Sequence, residues 1–501
     1  MSDGRRNRGH VPGRRDVGVW VAVVSLLISS VAEADPVWRV TPRVTVGATY
    51  TDNVNLAPPG QESHDWIGEV VPGVTAYREG RRWNASVNYS LWNRYYLRHS
   101  GRNRARHTLQ AASNLEVVDR TFFVDATATR RERAASLLEP VGVSADTGAL
   151  ATVTTAAVSP YAVQRFGRFA EGEVRYTYDR IWYQRTNQGD SAGHRWEGVL
   201  ASGPLFGPRF FWRLNYSHER HEYDDDLRPD ETFERYSATL GYRISPRLQV
   251  FGTAGEERND YPTILDEQDG DFWEVGAIWD PTRRTHIEAA YGEQFFGETG
   301  RLDLRHRTRR STWRAGYTRT VTTGRRLVLQ EETFDPADPN AVLFLFLLFG
   351  PEDFATFVDM DEGVFFLPRL TDEPVIAERA TASVTYQLGR SRFVLSANRF
   401  ELDFQDGITP NESGHGAAAG WNWQFAPRTA SQTSIGWTRT EFDLDEPRED
   451  DRYFLQVRVT KDFTPHLTGS LSYRHQRRDS SAGRVWEYRE NAVIARATMT
   501  F

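Results

Sequence analysis

The chain contains no cysteine. This excludes disulfides, thiolate metal sites and cysteine nucleophiles, and it suits an oxidising compartment, where stray thiols are a hazard. Beyond the N-terminal region there is no run of 18 or more apolar residues, so no transmembrane helix is expected. There is no excess of positive charge: 61 Lys and Arg stand against 68 Asp and Glu, a formal net charge of −7, which argues against a nucleic-acid partner. No His-Glu-x-x-His, phosphate-binding glycine loop or pair of catalytic acids is visible. The chain therefore does not read as an enzyme, and no catalytic residue, metal or cofactor is expected.

What is present is alternation. Of the 501 residues 39% are hydrophobic and 13% aromatic, yet the mean hydropathy is −0.58. That combination suits a wall in which only every second residue faces lipid. Val40, Pro42, Val44, Val46, Ala48 and Tyr50 share one face against Arg39, Thr41, Arg43, Thr45 and Thr49. Phe210, Trp212, Leu214 and Tyr216 oppose Arg213, Asn215 and Ser217. Tyr236, Ala238, Leu240, Tyr242 and Ile244 oppose Arg235, Ser237, Thr239 and Arg243. Period-two patterns of this kind mark strands with two different environments. The last strand repeats it: Val493, Ala495, Ala497 and Met499 lead on one face to the terminal Phe501. A closing strand that ends on Phe is expected to serve as an assembly signal for the barrel-assembly machinery.

Connections alternate in length. Short turns such as Glu79-Gly80-Arg81, Gly167-Arg168, Ser245-Pro246-Arg247, Thr323-Gly324-Arg325 and Thr464-Pro465-His466 separate longer polar loops, including Asn53 to His64, Arg131 to Ala151, Glu257 to Gly270 and Glu298 to Arg309. Short periplasmic turns and long external loops build an outer-membrane barrel. The expected fold is all-β: one transmembrane antiparallel β-barrel of about 22 strands, within a range of 18 to 22. It would be closed by the C-terminal strand, since an open edge in lipid leaves backbone groups unpaired. Aromatics at strand ends (Trp92, Tyr95, Tyr96; Trp182, Tyr183; Trp421, Trp423) read as interfacial girdles.

Residues 1–34 read as a signal peptide that is removed on export to the outer membrane of a Gram-negative bacterium. Arg5, Arg6, Arg8, Arg14 and Arg15 form its basic region, Val17 to Ser30 its apolar core and Ala32-Glu33-Ala34 its cleavage site. Arg14-Arg15 resembles a twin-arginine signal, but that route carries folded proteins and a barrel crosses unfolded. Residues 35–501 are then the barrel. One stretch departs from the hairpin pattern, a long insertion at 335–378. It contains Leu343, Phe344, Leu345, Phe346, Leu347, Leu348 and Phe349. Asp338-Pro339 before this run and Gly350 after it predict a short helix, too short to span a bilayer and apolar on all sides. It packs either as an external loop on its neighbours or the outer leaflet, or as an inward constriction or docking site.

The segments Tyr50-Thr51-Asp52-Asn53-Val54-Asn55-Leu56, Trp66-Ile67-Gly68-Glu69-Val70-Val71-Pro72-Gly73-Val74, Tyr89-Ser90-Leu91-Trp92 and His107-Thr108-Leu109-Gln110-Ala111 carry a resemblance. From about Pro42 to Phe501 the chain resembles the PEP-CTERM-system-associated outer-membrane β-barrel family, related to β-barrel porins of exopolysaccharide loci. The resemblance implies a role in envelope or exopolysaccharide biology beside exosortase and polysaccharide-export functions, and carries over no catalytic residue.

Candidate residues follow from the alternation. Arg175, Arg213, Arg235, Arg243, Glu288 and Arg314 are assigned to the hydrated lumen side, where charge tunes passage. Glu171, Glu173, Asp179, Arg399, Arg458 and Arg474 are assigned to the same side. Arg305, Arg307 and Arg309 are placed on the face of Trp313, Ala315 and Tyr317, pointing outward at headgroup level toward lipopolysaccharide phosphates. Gly189-Asp190-Ser191-Ala192-Gly193 matches the nucleophile-elbow pattern, but an external loop is the wrong context for it. The acidic runs near Asp224, Asp269 and Asp450 lack ordered calcium-loop spacing and read as solvated loop surface, with divalent-cation bridging to lipopolysaccharide as the alternative. The expected partners are outer-membrane lipid and lipopolysaccharide, the assembly machinery, and polysaccharide or export-system proteins. Two functions stay open: a porin-like conduit or export component for polysaccharide or small solutes, and a structural or surface-binding envelope barrel without transport.

Overall fold

The computed structural model describes residues 38–134, 150–184, 189–225, 228–263, 268–329, 332–334, 363–365, 374–407 and 409–501. The expected signal peptide and the Leu343–Phe349 run, with its expected helix, lie outside the described residues.

The wall is a single 22-stranded antiparallel sheet. It opens with β1 (Arg39–Thr51), β2 (Asp65–Arg78), β3 (Trp83–Tyr96), β4 (Arg104–Val118), β5 (Phe122–Ala134) and β6 (Leu150–Phe166). It continues with β7 (Ala170–Gln184), β8 (Ser191–Ser202), β9 (Phe210–Tyr223), β10 (Glu231–Ser245), β11 (Leu248–Asp260) and β12 (Gly270–Thr282). Then come β13 (Thr285–Gln294), β14 (Gly297–Arg307) and β15 (Ser311–Thr323). A six-residue helix, α1 (Gly324–Leu329), follows, and β16 (Glu332–Phe334) pairs with β17 (Gly363–Phe365) outside the wall sheet. The wall resumes with β18 (Pro374–Leu388), β19 (Ser391–Phe404), β20 (Glu412–Ala426), β21 (Thr429–Phe442), β22 (Arg448–Thr464), β23 (Leu467–Ser480) and β24 (Tyr488–Thr500). Because β18 starts at Pro374, residues 374–378, counted with the insertion on sequence, belong to the wall.

Each wall strand pairs with its sequence neighbours, β15 pairs across the insertion with β18, and β1 pairs with both β2 and β24. The seam runs from Arg43 opposite Thr500 to Thr51 opposite Ala492. The cylinder is therefore sealed, and every strand edge in the wall has a partner, as a low-dielectric surround demands. Phe501 follows the last strand; its N–H donates to the Pro42 carbonyl at 3.0 Å.

Residues paired across strands face the same side, so the register carries one face right round the wall. Val46 pairs with Val70, Leu214 with Ala238 and Ile435 with Leu455 on the outer face. Exposed Val46, Leu214, Leu240, Leu395, Ile435 and Leu471 make that face apolar. Residues adjoining them in sequence (Thr45, Ser396, Ser434, Ser472) turn inward and are buried. Trp92, Tyr96 and Tyr183, grouped on sequence with the girdles, belong to the inward set. Tyr96 pairs with buried Ile67, Tyr183 is buried with Ile181, and Trp92 lies under Arg94 and Arg496. Adjacent residues of a strand cannot share a face; Tyr95, Trp421 and Trp423 keep the exposed side.

Most short turns gather at one end and the longer connections at the other, the turn at Phe295-Phe296 excepted; in an outer-membrane barrel the short-turn end is the periplasmic one. Two connections differ from expectation. Residues 298–307, expected in an external loop, form β14, reached from β13 through the tight turn at Phe295-Phe296. Thr323-Gly324-Arg325, expected as a short periplasmic turn, lies at the opposite end, where the chain leaves β15 to enter α1.

Candidate functional site: the lumen and its outer mouth

α1 does not continue outward from β15. Thr323 caps it, accepting a hydrogen bond from the Arg326 N–H at 3.1 Å, and the helix crosses to the lumen face of β6 to β10. Leu329 packs against the apolar cluster of Ala151, Val153, Ile181 and Tyr183. Arg325, fully buried, donates to the Asp179 carboxylate, the Asp179 carbonyl and the Ser191 hydroxyl. Arg326 meets Glu219 at 2.9 Å and lies over the Phe233 ring at 4.6 Å.

The wall beneath α1 is a continuous network. Glu219 also receives Arg195 at 2.9 Å and lies 2.6 Å from His221 Nε2, while His221 Nδ1 lies 3.0 Å from Glu231. Tyr223 donates to the same Glu231 oxygen at 3.0 Å. β8 leaves room for this: a side-chain carbon on Gly193 would come within 2.6 Å of Arg325 Nη2 and 2.7 Å of Asp179 Oδ1. Buried charge persists only when paired and hydrogen-bonded; here Glu219 and Glu231 each face at least two partners, and Asp179 faces Arg325.

The outer half of the lumen wall near the seam is built in the same way. Asp450, read on sequence as solvated loop surface, instead lies buried on β22, flanked by Arg448 at 3.0 Å and by Arg478, with Arg448 lying 4.2 Å from the Trp486 ring. Glu490 on β24 joins Arg474 at 3.0 Å and accepts from Thr51 of β1 at 2.6 Å, tying the two seam strands together through side chains. Glu69 on β2 is held by Arg496 and, at 3.8 Å, by Arg94.

The six sequence-assigned lumen residues all lie on the inward register, in two settings. Arg235 pairs with Glu257 and lies 3.9 Å from the Phe272 ring. Arg175 bridges Asp125 at 2.8 Å and Glu173 at 3.1 Å over Tyr161 at 3.7 Å, and Glu288 meets Arg301 at 3.0 Å. Arg213 and Arg243 are exposed toward the periplasmic end, and half-buried Arg314 sits opposite Arg305. Arg399, assigned inward on sequence, faces outward with exposed Leu395 and pairs with Glu401 at 3.6 Å.

The three arginines assigned to lipopolysaccharide are corrected. Arg305 pairs with Arg314, whereas Trp313 pairs with His306, so Arg305 and Arg307 face the lumen side and Trp313 the other. The Thr308–Arg310 turn reverses the chain between them, so counting residues across it does not preserve the face. All three also sit at the short-turn end, with Arg309 inside the turn itself, far from the outer leaflet. Ser191 of the elbow-like motif is likewise not in a loop. It starts β8, is fully buried, and accepts from Arg325.

What sequence reading missed was Arg325 and the inward turn of α1. The signal available was the Gly324-Arg325-Arg326 step after an unbroken strand, which a turn explained as well. Among the described residues no group of three or more His, Asp or Glu side chains is arranged to hold a metal ion.

Solved structures of similar shape exist despite minimal identity. The siderophore receptor PirA of Acinetobacter baumannii aligns with a TM-score of 0.54 and 7% identity over 92% of this chain and 80% of that one. The ferric enterobactin receptor PfeA of Pseudomonas aeruginosa (Q482A mutant, with enterobactin) aligns with a TM-score of 0.52 and 8% identity over 93% and 82%. The fold is that of an outer-membrane β-barrel. At such identities the likeness concerns fold alone. No family model and no curated protein matches the chain in sequence.

Proposed function

We propose that this barrel is a porin-like, non-enzymatic conduit for polar solutes whose outer mouth is narrowed by α1. The observation that carries the reading is the docking of α1 across the lumen: a segment leaving one strand spends two arginines on the inner wall several strands away. A charged, hydrated wall suits solute passage, and an inward-folded segment suits its control. The proteins of like fold are named as siderophore and enterobactin receptors, which is compatible with traffic of polar solutes. The resemblance at Tyr50–Leu56 and Trp66–Val74 extends the proposal to polysaccharide as cargo and to an exopolysaccharide or PEP-CTERM setting. Export through a removed signal at residues 1–34, delivery by the assembly machinery through Phe501, and outer-leaflet lipopolysaccharide as surrounding lipid belong to the same reading.

A second reading is favoured by one observation, the density of fully buried ion pairs in the outer lumen: a rigid envelope barrel without transport. Planar-bilayer recordings on the purified full chain separate the two. Discrete conductance, raised when Arg325 and Arg326 are both replaced by Ala, is expected. Electrical silence in wild type and variant alike would leave the structural reading.

A further inference from the structure

We propose that the recess holding Arg325 is a binding site for organic cations bearing guanidinium or ammonium N–H groups, and that α1 occupies it as an internal competitor. This rests on the conduit reading only for its consequence in passage; the site itself rests on geometry.

The recess is built for a planar cation. The Asp179 carboxylate and carbonyl and the Ser191 hydroxyl converge on one guanidinium. Gly193 clears the space in which that guanidinium lies, since any side chain there would collide with it. The fit belongs to a rigid wall: Asp179, Ser191 and Gly193 are on paired strands, with Asp179 directly opposite Gly193. The guest, by contrast, arrives on a six-residue helix held by its two arginines and Leu329.

Charge accounts for the choice of ligand. Leaving His221 aside, Asp179, Glu219 and Glu231 are balanced by Arg195, Arg325 and Arg326. Three carboxylates meet three guanidinium groups. If α1 departs, two of those guanidinium groups leave with it while all three carboxylates stay on the wall. An uncompensated carboxylate in a desolvated recess strongly favours a replacement cation, and multiple N–H donors in a plane match its oxygen atoms better than a spherical charge does. A solute that fills the recess thus removes the reason for α1 to stay, so that ligand binding and opening of the mouth become one equilibrium.

Ethylguanidinium is a suitable probe, with tetramethylammonium, which has no N–H donor, at equal ionic strength as control. In purified full-length Arg325→Ala the recess is vacated, and ethylguanidinium is expected to raise the unfolding midpoint by several degrees. It should do so far less in wild type, in Asp179→Asn/Arg325→Ala, or in Gly193→Val/Arg325→Ala. In bilayers, ethylguanidinium should raise wild-type conductance severalfold, while Arg325→Ala is open without it and indifferent to it. Arg325→Lys, which keeps the charge, should stay closed and guards against a folding artefact, and heat-modifiability on gels reports that each variant is folded. Equal stabilisation of Arg325→Ala and the two double variants, or equal responses to the two cations, overturns the proposal. Stabilisation of Arg325→Ala without conductance in any variant would keep the site and defeat the conduit.

Discussion

The two halves of the lumen wall use the same residue type to opposite ends. Toward the long-loop end, arginines vanish from solvent: Arg325, Arg474 and Arg478 are among the largest fully buried side chains, each against a carboxylate. Toward the short-turn end, Arg213, Arg243, Arg305 and Arg307 stand exposed on the same inward register. Strand alternation decides which way an arginine points; it does not decide what it meets there. That depends on chain arriving from elsewhere, such as α1 over β7 to β10 or Trp486 over Arg448. The outer half is thus packed like a protein interior, whereas the inner half resembles a wetted surface.

The sharpest way to break this contrast is to remove one partner from each half. Asp450 sits between Arg448 and Arg478, and the side chains of Asp450 and Arg478 have no solvent exposure. Asp450→Ala leaves two cations without their shared counter-charge, and breaking a buried pair in this way costs about 3–5 kcal/mol. Arg213→Ala, in the inner half, should fall within about 0.5 kcal/mol of wild type. Reversible denaturant unfolding in liposomes measures both. Similar midpoints for the two variants would erase the distinction between the halves.

A smaller effect is expected at the seam. Glu490→Gln keeps the shape and removes the charge that holds Arg474 and receives Thr51 across the β1–β24 junction. Loss of charge-assisted hydrogen bonds of this kind costs about 1.5–3 kcal/mol. The backbone ladder at the junction remains, so the barrel should still close but lose its compact gel mobility at a lower temperature than wild type. If Glu490→Gln shifts that temperature no more than Arg213→Ala does, the side-chain network contributes nothing to closure.

The sequence made the wall legible because a barrel repeats one rule. Val40 to Tyr50 and Val493 to Phe501 alternate visibly, and the sealed 22-strand cylinder follows from continuing that pattern until the ends meet. Faces were lost where the pattern crosses a turn. Arg305 and Trp313 are an even number of residues apart, which implies one face only if the strand is unbroken, and the turn at Thr308–Arg310 breaks it. Arg399 was misplaced because its neighbours Asn398 and Phe400 supply no clear polar-apolar contrast. The inward dock of α1 was illegible for another reason. Asp179, Ser191, Glu219 and Arg325 are up to 146 residues apart, and nothing local in any of them signals the others. Alternation placed Asp179 on the inward face; only closure of the cylinder brings it to Arg325.

The smallest expected effect concerns the inner half alone. Arg305 is 65% exposed and lies 2.7 Å from Asp303, its neighbour on the same strand face. An exposed pair of this kind contributes about 0–1 kcal/mol, so Arg305→Glu should leave the unfolding midpoint almost unchanged. Its charge, however, lines the route a solute takes at the periplasmic end, with Arg314 directly opposite on β15. Reversing one such charge should move the zero-current potential under a salt gradient toward cation preference by a few millivolts, more at low ionic strength than at high because screening lengthens as salt falls. A shift in stability without a shift in selectivity would mean that Arg305 is packed rather than wetted, and the inner half would then have to be counted with the outer.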